Sequence, residues 1–115
     1  MNFAERAARN EEIFRGVNEQ IEEGAEQHHV KGPLPFHCEC GQASCLETIE
    51  LAPPEYERVA AERYRFLLVP GHEDPLIEQV VERHDAFVVA EKIGEARDEI
   101  DRDHPQPRHR QPPSG

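Results

Sequence analysis

All three cysteines of the 115-residue chain fall in one stretch, His37-Cys38-Glu39-Cys40-Gly41-Gln42-Ala43-Ser44-Cys45. Clustered thiolates suit a soft metal ion, and zinc in a structural role takes sulfur and imidazole ligands in a closed tetrahedron. Cys38 and Cys40 can reach one ion if the chain turns sharply after them, and Gly41 offers that turn through a positive φ. Cys45 returns a third sulfur from the start of the next element. The fourth ligand must then come from among seven histidines. His72 ranks first, because Val69-Pro70-Gly71 ends an apolar run with turn chemistry just ahead of it. His37 ranks second: it adjoins Cys38, and neighbouring residues of an extended chain face opposite ways. Cys38, Cys40, Cys45 and His72 are therefore the expected metal ligands, with one zinc ion per chain. A Cys3His iron–sulfur cluster would use the same spacing.

The same sulfurs could be inert buried side chains, or a disulfide with a spare thiol. A Cys-x-Cys disulfide is strained, and no signal-peptide pattern stands ahead of the cysteines. A reducing, cytoplasmic setting, where clustered cysteines tend to bind metal, is the expectation. Without His72 the site would be open and catalytic, with Glu73 as its general base. Glu73 and Glu39 otherwise read as ordinary surface acids. No Gly-rich phosphate loop, Gly-x-Ser-x-Gly elbow or His-Glu-x-x-His helix occurs, so no catalytic residue is assigned.

Length implies one small domain. With 37% hydrophobic and 32% charged residues the core is thin, and a metal would act as a staple. A formal net charge of −11 disfavours nucleic acid, whose phosphates such a field repels. No apolar run is long enough for a membrane span.

The elements that must position the cysteines follow from periodicity. Residues 2–27 read as one helix, with Phe3, Ala7, Asn10, Phe14, Val17 and Ile21 forming a narrow apolar seam and Asn10 a polar inclusion in it. Its Glu- and Arg-rich face is expected in solvent. The helix is expected to pack on its own domain; its length, about 37 Å, exceeds what so small a body needs and suggests as the alternative a docking or self-association surface. Lys31 to Pro35 reads as a linker. Leu46 to Leu51 alternates as a strand, and Pro54 opens a helix whose inward face is Tyr56, Val59 and Ala60. Tyr64 to Val69, apolar on both faces, reads as the central strand. Leu76 to Arg83 and Ala86 to Ile93 form a hairpin around His84-Asp85, the first with an alternative start as a helical turn. Gly94 to Asp101 reads as a short charged helix, and the Pro-rich tail from Asp103 as disordered.

Four of these stretches resemble a family of short, uncharacterised proteins of high-GC Gram-positive bacteria. They are Arg9-Asn10-Glu11 to Asn18-Glu19, Cys38-Glu39-Cys40-Gly41 to Cys45, Glu55-Tyr56, and Val69-Pro70-Gly71-His72-Glu73. The resemblance spans about residues 5 to 95. It implies the pairing of the cysteines with His72 and brings no activity with it.

The expected architecture is α+β: an amphipathic helix (1–29), a zinc-stapled domain with a short antiparallel sheet and one helix across it (30–102), and the tail (103–115). The expected role is a non-enzymatic, zinc-finger-like interaction or regulatory module, with a protein partner or second copy on the N-terminal helix. The alternatives are a metal- or thiol-dependent enzyme, and a redox or metal sensor built on the cysteines.

Overall fold

The structure, a computed structural model, describes residues 3–103, with side chains for 9–102. The elements run α1 (Phe3–Gln27), β1 (Leu34–His37), β2 (Thr48–Leu51), α2 (Pro53–Ala60), β3 (Arg65–Leu68), β4 (Glu78–Arg83), β5 (Val88–Lys92) and α3 (Glu95–Asp103). This is the α+β class that the periodicities imply. It has two antiparallel sheets: a β1–β2 pair, and a three-stranded sheet in the order β3-β5-β4. The Pro-rich tail lies outside the described residues from 104 onward, as do the side chains of Phe3 and Ala7.

The expected linker is partly strand. Leu34 and Phe36 point inward on β1 while Pro35 faces solvent opposite Glu50. Proline is tolerated there because a two-stranded sheet consists only of edges, where a missing donor costs no ladder bond. The chain before β4 takes the helical-turn alternative, with the amides of Ile77 and Glu78 both donating to the Asp74 carbonyl.

The strand expected to be central, β3, is instead an edge strand, and β5 is central. Both faces of β3 are nevertheless buried. Leu67 joins a core with Phe36, Ile49, Leu51, Tyr56, Val59 and Val89. Phe66 and Leu68 join another with Val88, Ala90, Ile100, Cys38 and Cys40. The free edge of β3 is covered by the cysteine stretch: the Glu39 amide donates to the Leu67 carbonyl (2.7 Å), and the Leu67 amide donates to Glu39 Oε1 (2.9 Å). An apolar run thus marks burial on two faces without marking the middle of a sheet.

The largest departure is in α1. Its inward face is Glu11, Arg15, Asn18, Glu22 and Ala25, all buried, whereas Ile13 and Val17 are 56% and 41% exposed. The polar set recurs at steps of four and three, the same period as the apolar seam, so periodicity alone could not decide which stripe turns inward. Asn10, the polar inclusion of that seam, donates from its Nδ2 to the Gly41 carbonyl (2.9 Å).

Candidate metal centre

Cys38, Cys40, Cys45 and His72 are brought together, each offering one ligand atom, with all four atoms within 4.8 Å of one another. They come from three separated places. β1 ends at His37 and runs straight into Cys38 and Cys40, held by Cys38 donating to the Glu47 carbonyl (2.9 Å). Cys45 closes the loop, its amide on the Gln42 carbonyl (3.1 Å). His72 arrives on a tight turn after β3, in which its amide donates to the Val69 carbonyl (3.0 Å). Pro70 and Gly71 fill the central positions of this turn, and Gly71 has φ +93°, the value a type II turn requires there. The positive φ expected at Gly41 is found at Gly71 instead.

His72 Nδ1 lies 3.6 Å from Cys38 Sγ and 3.8 Å from Cys45 Sγ. Its other ring nitrogen, Nε2, donates to Glu47 Oε2 at 2.7 Å. A carboxylate on the outer nitrogen fixes the tautomer and turns the Nδ1 lone pair toward the sulfurs, the usual support of a metal-ligating histidine. Cys38 Sγ also accepts from the Val69 amide at 3.2 Å.

The sulfurs compete for protons. Hydrogen bonding from Cys38, against the opposing cost of burial, pulls the Cys40 thiol down to about 4. The same contact, reinforced by burial, pushes Cys38 up, and burial pushes Cys45 up. The protein by itself thus favours one thiolate. A positive ion among the sulfurs is what makes three thiolates compatible. The cysteines form no disulfide.

His37, the second-ranked ligand, is excluded by its own contacts. Its Nδ1 lies 2.6 Å from the Cys38 carbonyl and its Nε2 lies 2.9 Å from the Cys45 carbonyl. Both ring nitrogens therefore brace the knuckle backbone rather than face the sulfurs, and the ring packs on Phe14 (4.1 Å between centroids). Glu73, the expected base of an open site, accepts from the Gly71 amide (3.1 and 3.2 Å) and so caps the turn locally.

Glu39 overturns its reading as a solvated acid. It is fully buried. Its Oε2 accepts from Arg15 Nε (3.1 Å), Asn18 Nδ2 (3.0 Å) and the Tyr56 hydroxyl (2.6 Å), while Oε1 takes the Leu67 amide. Arg15 donates onward to the carbonyls of Ala60 and Arg65 and lies 4.4 Å over the Phe66 ring. Burial, the largest single influence, would lower the Arg15 pKa, but Glu39 together with Tyr56, Glu12 and Glu19 outweighs it and the pKa is raised. Asn18 reads the backbone of His37 from both sides, accepting from its amide (2.7 Å) and donating to its carbonyl (2.8 Å). One signal for Glu39 was available in the sequence. In an extended Cys-x-Cys the middle side chain faces away from both sulfurs, here toward the interior.

No protein-family model, curated protein or solved structure matches the chain. Among the described residues no helix is long and apolar enough to cross a membrane.

Proposed function

We propose that Cys38, Cys40, Cys45 and His72 hold one zinc ion in a closed, structural site, and that the chain acts by binding another protein rather than by catalysis. The observation that carries this reading is the convergence of three sulfurs and a carboxylate-braced imidazole nitrogen. In a tetrahedron with Zn–S about 2.3 Å and Zn–N about 2.0–2.1 Å, sulfur and nitrogen stand about 3.5–3.6 Å apart and two sulfurs about 3.8 Å. The distance from His72 Nδ1 to Cys38 Sγ, 3.6 Å, meets the sulfur–nitrogen value, and that to Cys45 Sγ, 3.8 Å, is slightly longer. His72 fills the fourth position and Glu73 is occupied at the turn, so the arrangement leaves little for an open catalytic metal to use. The outward face of α1, with Ile13 and Val17 among acids, is the surface we assign to the partner, and the chain's excess of acids favours a basic one.

Native mass spectrometry of the reduced protein and of His72→Ala tests the site. One zinc per chain, lost or loosened in the variant, is expected. A variant that keeps zinc at full occupancy with the same stability rules out His72 as a ligand.

A redox or metal-sensing role has one observation in its favour: Cys45 is only half buried, whereas Cys38 and Cys40 are buried. Peroxide treatment that releases zinc in step with thiol loss, reversed by reductant, supports that reading. Zinc retained while thiols are oxidised removes it.

A further inference from the structure

Away from the sulfurs, a second group of titratable side chains is sealed inside the protein. Lys92 of β5 is fully buried, and its Nζ donates to Glu78 of β4 (2.6 Å) and to Glu11 of α1. Both carboxyl groups are 1% exposed. Each spends one oxygen on Lys92, and the other oxygens, Glu11 Oε1 and Glu78 Oε2, have no hydrogen-bond partner. Nζ also lies 5.3 Å from the centre of the Phe66 ring, against which Arg15 packs as well. The two buried clusters therefore share one aromatic wall. Together they hold three carboxylates (Glu11, Glu39, Glu78) against two cations (Arg15, Lys92), one negative charge too many.

A buried excess charge without hydrogen bonds is costly, and a carboxyl group can escape that cost by keeping its proton. Among the described residues, Lys92 is the cation that acts on both carboxyl groups. Glu12 on α1 and Asp74 ahead of β4 add negative potential at Glu11 and Glu78 respectively, and Arg15 is committed to Glu39. The buried acid of α3, Glu99, pairs with Arg102. We propose that Glu11 and Glu78 share one proton in the folded protein, and that this proton clamps α1 onto β4 and β5. As pH rises, the unfolded chain gives up its carboxyl protons first, so the hold on α1 weakens until the shared proton leaves and the clamp carries an uncompensated charge. Burial, the largest influence, pushes Glu11 up to about 8 and also raises Glu78.

The sign follows from proton counting. Between the ordinary value of 4.5 and about 8, the folded state keeps a proton that the unfolded chain has lost. Stability from this group is complete below the lower value and falls tenfold in the folding equilibrium per pH unit up to the higher one.

The experiment follows side-chain carboxyl resonances of the carbon-13-labelled, zinc-saturated wild type across pH 4–9, with Glu11→Gln and Glu78→Gln beside it. One carboxyl titrating above pH 6, lost in either variant, is the expected result. All carboxyls titrating below pH 6 overturns the proposal, and that reading needs only the wild type should a variant not fold. The second arm compares hydrogen exchange of the α1 amides in wild type and Glu11→Gln at each pH. A protection ratio that falls up to tenfold per unit in the wild type supports the clamp; a constant ratio overturns it. The metal ligands are identical in the two proteins, so their titration cancels.

Discussion

Glu39 shows how far one residue can depart from its apparent role. It sits between two metal-ligating candidates, yet its carboxylate faces the other way and gathers donors from α1, α2 and β3. Removing one partner of a buried ion pair strands the other. Glu39→Ala is therefore expected to lower stability by about 3–5 kcal/mol in chemical denaturation; a loss below about 1 kcal/mol would mean that Arg15 finds water or another partner. Glu47 supports the cluster from outside and is mostly exposed, so its removal should leave the fold intact. Glu47→Ala is expected to weaken metal affinity roughly 10–100-fold in a chelator competition. Unchanged affinity would show that the Nε2 contact does not orient His72. The convergence of the three cysteines and His72 was legible, because cysteine has few other uses at this density and Pro-Gly-His carries a turn with it. Glu39 and Lys92 were not, since single Glu and Lys residues are far more often solvated than buried.

At the scale of elements, α1 is the test of what a period can say. Phe14, Val17 and Ile21 of the expected seam share its repeat with Glu11, Arg15, Asn18 and Glu22, and hydrophobicity alone chooses the first set. The structure buries the second, with Phe14 and Ile21 half-buried beside it and Val17 exposed, because Glu11 meets Lys92, Arg15 meets Glu39 and Asn18 meets the His37 backbone. Where its groups are satisfied, as at Arg15 and Asn18, a polar face can be buried without the usual penalty, and Glu11 is the exception with one oxygen unpartnered. The two orientations predict opposite mutational patterns. Ile13→Gln with Val17→Gln should change stability by no more than about 0.5 kcal/mol each, as surface changes do. Asn18→Ala should cost about 1–3 kcal/mol by orphaning the groups it bonds. The reverse ranking in denaturant melts would put the apolar seam back inside. The turn that carries His72 is a second elementary case. At φ +93° an alanine is strained, so Gly71→Ala should cost about 1 kcal/mol and loosen the metal with it. The bounds of β2 to β5 were legible to within two residues, but β1 was read as linker and sheet order was not legible. β3 has the composition of a central strand because the cysteine stretch covers its open edge, and that covering depends on contacts between residues about 30 positions apart.

For the whole molecule, the four candidate ligands lie where three distant segments meet: the end of β1, the approach to β2, and the turn after β3. Cys38 and Cys40 are also members of the core formed with Phe66, Leu68, Val88 and Ile100. A metal there would be part of the packing as well as a cross-link, so binding and folding should be coupled. A strong chelator added to the reduced protein is expected to lower the melting temperature markedly, with recovery on adding back zinc. The class of fold was legible because the periods of helix and strand alternate along the chain. The two polar clusters that join α1 to the rest were not, because no local pattern specifies which buried charge meets which.

The most direct test of the central claim is X-ray absorption at the zinc edge of the purified, reduced wild type. Three sulfur neighbours at about 2.3 Å and one nitrogen at about 2.0–2.1 Å, with no water in the shell, are expected. A shell rich in oxygen, four sulfurs from shared chains, or no zinc at all would contradict it.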